Sequence, residues 1–590
     1  MIKTIPPAFI LILGALLIPL FRGKTKQLYL LFISILVLID LPFLETGTGG
    51  IIRFLGYDLI FAKVDRLSLA MGYIFAVTGF LAILYSLHNR RTGEQVASCL
   101  YMGSSLGVVF SGDYLSLFAF WEIMAFTSVF LIWYRREKEA LDAGFRYLFM
   151  HIFGGGCLLT GIILHFASTG SLVVEPLRFG WGSLFILIGF GLNTAFIPLH
   201  TWLPDAYPLG TVTGSVFLSV FTTKTGVYTL ARCFSGNEFV AYMGGVMAVY
   251  GIVFALLQND IRKLISYHII SQVGYMIAGI GVGTELGVNG GIAHLINNLL
   301  YKTLLFMCTG SIIYMTGKSK LTELGGLARR MPVTCITCLV ASFSICGTPG
   351  FNGFVSKGMV ISSVLEAHQP ILELLLRLAS VGTFLSFAKL SDFTFFVKNE
   401  KIHAKESPWN MQVAMIAIAF LCILIGVFPG ILSHILPYAS VGYPAYTLSH
   451  IIGVLQLFLF AGMVFMLLKK AFSPHRWLIL DFDYFYRMAF RGIAWLCMGP
   501  LNHFRLRMQT SFSRAVTILV CLSKDPLSLP EIAAEYGQLN REGASTSLEA
   551  VCKRKERAYD ENLYRKPMGL GVLLAILFLF LYGLIYFLRS

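Results

Sequence analysis

The sequence predicts an all-α, polytopic membrane protein, and three observations carry that prediction. Only 13% of the 590 residues are charged and 56% are hydrophobic, giving a mean hydropathy of +0.74, whereas a soluble domain has roughly a quarter of its residues charged. Apolar runs such as Leu67–Leu87 and Leu570–Leu588 recur along most of the chain, each near the ~20 residues a helix needs to cross a bilayer. Lysine and arginine gather in alternate loops.

About sixteen spans follow from the apolar runs: 5–21, 28–44, 67–87, 96–111, 114–134, 145–166, 183–199, 211–233, 240–257, 264–283, 290–315, 333–346, 354–393 (interrupted), 411–432, 450–471 and 568–588. The first has no small-residue cleavage site and is followed by many others, so it reads as a retained helix rather than a signal peptide.

With the N-terminus outside, the inner loops hold Arg22, Lys24 and Lys26; Arg90 and Arg91; Arg135, Arg136 and Lys138; Arg262 and Lys263. Further on they hold Lys318, Lys320, Arg329 and Arg330; Lys398, Lys401 and Lys405; Lys469 and Lys470. The other loops are poor in both residues apart from Arg53, Lys63 and Arg66. This is the positive-inside pattern of a multi-pass protein of a prokaryotic inner membrane. The net charge of +15 is therefore topology and not the footprint of a nucleic acid.

Eleven cysteines are scattered through the chain. Cys335-Ile336-Thr337-Cys338 has the spacing of a redox or metal pair, but it opens an apolar helix without a second such pair, and reads as two small buried residues. No HExxH, dinucleotide or phosphate-loop motif, and no iron–sulfur, haem or zinc spacing occurs. The chain is expected to hold no cofactor, no metal and no catalytic constellation of its own.

Along the chain, residues 1–112 are expected to form N-terminal spans and 113–397 a central core. Residues 398–473 add C-terminal core helices, 474–567 a more polar segment, and 568–588 a final span. Within the polar segment Met488–Leu522 is amphipathic and rich in Arg, Phe and Met; it suits the membrane interface or a neighbouring subunit, the competing reading being an irregular cytoplasmic loop. The cluster from Lys553 to Arg557 follows it. Pro198, in Asn193-Thr194-Ala195-Phe196-Ile197-Pro198, and Pro349, in Gly347-Thr348-Pro349-Gly350, mark helix breaks, because proline removes a backbone hydrogen bond that protein or water must replace. Paired breaks in two halves point to an inverted repeat around a central ion site, although no direct self-similarity links the halves.

Ionisable residues inside apolar spans are the functional signal, since one at mid-membrane costs about 2.5–3.5 kcal/mol on insertion scales. Glu122, Lys224, Lys302 and Lys357 lie in or at the broken ends of such spans. His294 sits two turns before Lys302 on roughly the same helix face. A set of groups that burial pushes toward neutrality can pass protons by exchanging partners. The competing readings are a structural ion pair for Glu122, snorkelling for Lys357 and a satisfied core histidine for His294. His268 and His200 carry less signal, and Asp205 reads as a cap or turn.

These residues also carry a family pattern. Ser111-Gly112-Asp113 leads to Phe120-Trp121-Glu122; Pro198-Leu199-His200-Thr201-Trp202-Leu203-Pro204-Asp205-Ala206 precedes Lys224-Thr225-Gly226-Val227-Tyr228. Gln258-Asn259-Asp260-Ile261-Arg262-Lys263, Ser271-Gln272-Val273-Gly274-Tyr275, His294 with Lys302-Thr303-Leu304-Leu305-Phe306, and Gly353-Phe354-Val355-Ser356-Lys357 follow in order. Over roughly residues 65–430 the chain resembles the antiporter-like membrane subunits of respiratory complex I, Mrp-type cation/proton antiporters and membrane-bound hydrogenases, with the D-type Mrp subunits the nearest in pattern.

The resemblance implies about fourteen core transmembrane helices with two inverted five-helix repeats and broken helices, followed by the C-terminal extension and final helix. It implies a proton path with Glu122 as the carboxylate of an ion pair, Lys224 as the central lysine, Lys302 as its second-half counterpart and Lys357 nearest the exit. The segment from Asp481 to Arg487 resembles one that follows the core in Mrp-like members, and the amphipathic stretch resembles the lateral helix of the larger complex I subunits.

Two departures stand out. Asn193 occupies the place where many members carry a lysine, so the usual partner of Glu122 is missing. Arg262 and Lys263 reverse the usual Lys-Arg order; arginine does not release its proton, so a relay there passes to Lys263, whose competing reading is a cytoplasmic-side anchor. The expected function is proton, or cation/proton, translocation in a multi-subunit membrane complex, driven by redox chemistry or counter-ion flux in partner subunits. Whether that complex is an NADH:quinone oxidoreductase-like or hydrogenase-like enzyme stays open. The alternatives are a D-type Mrp sodium/proton antiporter protein without a redox partner, and a degenerate structural membrane protein. Expected partners are other membrane subunits, protons, possible sodium and lipid, with no nucleic acid.

Overall fold

Polar side chains at the ends of apolar runs fix where the helices start. Asp65 accepts from Ser68 N (2.8 Å) and the Ser68 hydroxyl closes the box on Asp65 N. Asp113 accepts from Ser116 N (2.8 Å), Asp260 from Arg262 N (2.9 Å) and Lys263 N (3.0 Å), and Thr284 from Gly287 N (3.0 Å). Each satisfies amide groups that a first helical turn leaves unpaired.

The computed structural model describes residues 6–54, 56–399, 402–438, 440–475, 480–524, 529–542, 548–556 and 569–587. Helices α1 (Pro7–Leu17) and α2 (Gly23–Asp40) lead into an antiparallel hairpin, β1 (Gly47–Phe54) and β2 (Tyr57–Val64). Then come α3 (Arg66–Ser86), α4 (Thr92–Phe110), α5 (Tyr114–Trp133), α6 (Lys138–Thr169), α7 (Trp181–Asn193) and the short α8 (Trp202–Ala206). The centre is α9 (Val212–Val220), α10 (Thr222–Cys233), α11 (Glu238–Leu257), α12 (Ile261–Val282) and α13 (Glu285–Thr316). The first unit closes with α14 (Pro332–Cys346), α15 (Asn352–Glu366), α16 (Pro370–Ser391), α17 (Trp409–Val427), α18 (Gly430–Ile435) and α19 (Leu448–Leu467). Ten helices among the described residues are long and apolar enough to cross a membrane, and shorter apolar ones accompany them. The chain is a multi-pass, all-α membrane protein.

Residues Met1–Leu480 form one compact unit and Asp481–Ser590 a second. In the first, α12 is the most enclosed span, with 94% of its apolar window buried, against 6% for α19. Helix α19 therefore turns most of its apolar surface away from the rest of this unit. Glycines let α11 and α12 approach almost to backbone contact: a methyl at Gly251 would meet Ser271 N at 2.6 Å, and one at Gly274 would meet Ala248 N at 2.6 Å, the small-residue packing typical of membrane helices. The second unit holds α20 (Asp483–Leu496), a π-helical turn containing Pro500, α21 (Asn502–Lys524), α22 (Leu529–Arg541), α23 (Leu548–Glu556) and α24 (Gly569–Phe587). Phe490, Trp495, Phe504 and Phe512 in α20 and α21 are exposed. Lys401 and Arg557 lie outside the described residues.

Three elements differ from the sequence reading. The hairpin β1–β2 was not anticipated; Gly47, Gly49, Gly50 and Gly56 with flanking β-branched residues permit it. The interrupted span 354–393 is two helices, α15 and α16, turned at Ala367–Gln369, where His368 has φ +54°. The span 211–233 is itself discontinuous at Phe221, without any proline.

Outside the spans, Arg232 grips Asp65 with two bonds (2.6 and 2.7 Å), tying α10 to the start of α3. Burial alone would raise the Asp65 carboxyl, but the Arg232 guanidinium and Ser68 hold it below its ordinary value. A depressed carboxylate contributes stability above its unfolded value and loses that contribution as pH falls through the lowered one. The protein is therefore expected to lose more thermal stability than its Asp65→Asn variant on acidification below about pH 4, read as unfolding temperature in detergent; parallel losses would remove the pair from acid sensitivity. Gly274→Val is expected to destabilise by about 1–3 kcal/mol, while Gly156→Ala, whose added methyl meets nothing within 4 Å, leaves the unfolding temperature unchanged or higher. Equal behaviour of the two variants would show that α11 and α12 separate at little cost.

Candidate functional site

Lys224 is placed by the break between α9 and α10. Where the helical ladder stops at Phe221 (φ −97°, ψ −65°), carbonyls of α9 and amides of α10 lose their helical partners. Lys224 Nζ donates to Ser219 O (2.8 Å), and Thr222 N donates to the Tyr101 hydroxyl (3.0 Å), which also meets Thr222 Oγ1 (2.6 Å). Both cut ends are thus satisfied by side chains in a site that excludes solvent, Lys224 being 0% exposed.

Lys302, in the middle of α13 and equally enclosed, donates to Ile265 O of α12 (3.0 Å) and lies 5.9 Å from the centre of the Phe387 ring. His268 packs 4.6 Å from the centre of the same ring, and neither of its nitrogens has a hydrogen-bond partner among the described residues. Lys357, on α15, lies 5.0 Å from the centre of the Tyr275 ring, and its Nζ has no hydrogen-bond partner among the described residues. Its stem runs against Gly347, whose φ of +84° and lack of a side chain keep that passage open.

His294 joins α13 to α12 and α15. Its Nδ1 meets Ser356 Oγ (3.1 Å) and its Nε2 meets Gln272 Oε1 (3.2 Å), which also accepts from the Tyr301 hydroxyl (3.3 Å). With Gln272 as acceptor, the ring proton belongs on Nε2, and Nδ1 accepts from Ser356. Asn298 donates to Tyr301 (3.2 Å) and extends the network. Among the described residues Lys224, Lys302 and Lys357 have no ion pair: the buried carboxylates of the first unit, Glu94 and Asp113, sit at helix starts.

The other expected residues fall elsewhere. Glu122 is half-buried on α5; its Oε1 lies against Gly155 of α6 and has no hydrogen-bond partner among the described residues, so the ion pair implied by the resemblance is not formed. Lys263 is partly exposed in the first turn of α12, while its neighbour Arg262 is buried and donates to Gly210 O (3.0 Å). Pro198 does not itself break a helix, because α7 ends at Asn193. Pro349 lies in the link between α14 and α15. Asp205 is within α8 and pairs with Arg146 (2.7 Å). The sequence reading passed over Lys389, which caps the end of α11 through Leu256 O (2.6 Å) and Gln258 O (3.1 Å), and His151, buried on α6. The rule that flagged Lys302 would have found both.

A bundle of apolar helices around a discontinuous helix and a row of enclosed lysines defines an antiporter-like membrane protein. Residues 111–386 match the family described as NADH:quinone oxidoreductase/Mrp antiporter, transmembrane. An uncharacterized protein of Methanocaldococcus jannaschii is 30% identical over 460 residues, covering 72% of this chain and 94% of that protein. The A-type protein of a Na(+)/H(+) antiporter of Alkalihalophilus pseudofirmus is 30% identical over 450 residues, 66% of this chain and 56% of that protein; the chain spans about half the length of such A-type relatives. A chain of the membrane-bound sulfane sulfur reductase, an archaeal respiratory membrane complex, shares the fold with TM-score 0.70 and 24% identity over 87% of this chain and 99% of that one. The protein belongs to the family of antiporter-like membrane subunits of Mrp antiporters and complex I.

Proposed function

We propose that the chain translocates protons, or protons against another cation, through Lys224, Lys302 and Lys357 with His268 and His294 between and beside them. The observation that carries this reading is three lysine side chains enclosed in the central helices with no ion pair among the described residues. Like charges repel, so charging one of these groups opposes charging the next. Such a row releases a proton forward when another arrives behind it. Glu122, half-buried on α5 apart from these lysines, is the first-half carboxylate of the path, and Lys263 lies near the cytoplasmic end of α12. Asn193 removes the charge from one family position, and Lys224 takes over its place at the break.

The chain acts within a larger membrane assembly in a prokaryotic inner membrane, with its N-terminus outside, in contact with lipid and with no role for nucleic acid. Its core, residues 113–397, supplies the path; the exposed apolar faces of α19, α20 and α21 suit neighbouring subunits. The sodium/proton antiporter relatives favour a counter-ion gradient as the driving force, and the sulfane sulfur reductase fold favours redox chemistry in a partner. Dependence of flux on a sodium gradient, against copurification of iron–sulfur proteins, separates the two.

In vesicles holding the intact complex, Lys224→Ala and Lys302→Ala are each expected to abolish proton flux, measured by a pH-sensitive dye, while the other subunits still copurify. Parental flux in either variant would take that lysine out of the path. For orientation, Arg136→Cys in a cysteine-free background is expected to react with an impermeant maleimide only after the cells are opened; labelling of intact cells would invert the topology.

A further inference from the structure

The first half of the chain contains a buried titratable group outside the lysine row. His151 is 1% exposed on α6, stacked on Tyr147 (ring centroids 4.2 Å apart) and Trp202 (4.7 Å). Its ring faces Asn193 at the end of α7. Neither ring nitrogen, nor the Asn193 amide oxygen or nitrogen, has a hydrogen-bond partner of good geometry among the described residues. Four enclosed and unpaired polar atoms at one place are costly for a purely structural contact.

The surroundings give the site two openings. Gly155, one turn along the same face of α6, is where Glu122 Oε1 lies. On the other side Asn193 and Thr194 pack directly on Gly226 of α10, two residues beyond Lys224. Tyr147, under the His151 ring, bonds Ser128 (2.8 Å) and reaches Thr222 at the break.

We propose that His151 is the proton-carrying residue of the first half, passing protons between the Glu122 side of α6 and the Lys224 break with Asn193 as its polar partner. An imidazole does this without net change: it takes a proton on one nitrogen, releases the proton of the other, and returns to its first tautomer by a turn of the ring. The inference rests on the proton-translocating reading above, and Lys224→Ala measured in parallel keeps the two apart.

The test is proton flux by vesicles of the intact complex carrying His151→Phe, which keeps the aromatic stack and removes both nitrogens. The expected result is a loss of about 10²-fold or more, the scale of a positioned proton-transfer group, with copurification of the other chains unchanged. Adding Asn193→Lys to His151→Phe is expected to restore flux, which a merely structural role of the ring would not allow. Unchanged flux in His151→Phe, or a double variant as inactive as the single one, overturns the proposal. Should His151→Phe not accumulate, Asn193→Leu, which leaves the ring stack in place, carries the same expectation. Flux that survives Lys224→Ala as well defeats the wider reading rather than this one.

Discussion

A backbone cut inside a membrane has to be repaired by the protein itself, and the cut at Phe221 organises this molecule. Lipid offers neither donor nor acceptor, so the carbonyl left at Ser219 takes Lys224 Nζ and the amide at Thr222 takes the Tyr101 hydroxyl. The repair brings an ammonium group to a place where no water reaches it. One hydrogen bond both closes the helix and holds the lysine.

The second half reaches a similar end by other means. Helix α13 runs unbroken past Lys302, whose ammonium rests on Ile265 O and beside Phe387. An aromatic face offers weak attraction to a cation without the fixed charge of a carboxylate. Lys357 rests in the same way beside Tyr275. The lysines are held by carbonyls and rings rather than by acids, and His268 packs 4.6 Å from the ring that Lys302 approaches. Glu122 stands apart from this row, half-buried against the glycines of α6.

Close packing makes the arrangement rigid. Glycines along α11 and α12 let the most buried span sit almost against its neighbour's backbone, and Arg232 fastens the end of α10 to Asp65 beyond the apolar zone. The outer helix α19 is the opposite, an apolar rod with almost no burial of its own. The interior is finished within this chain, whereas its rim presents surface to whatever surrounds it.

The amino-acid sequence by itself determined the class and most of the buried charges, because bilayer thickness and the cost of intramembrane charge act on the residue string directly. Lys224, Lys302, Lys357 and His294 were legible for that reason, as was the family, through motifs held in order along the core. Partnership was decided only by the tertiary structure. Proline drew attention to Pro198 and Pro349, yet the discontinuous helix breaks at Phe221, where side chains from α4 and α10 replace the lost bonds and no residue type announces it. The unpaired state of Glu122, the carbonyl contacts of the lysines and the meeting of His151 with Asn193 depend on which faces of distant helices come together. Spacing along a helix tells which residues share a face, but not what that face will touch.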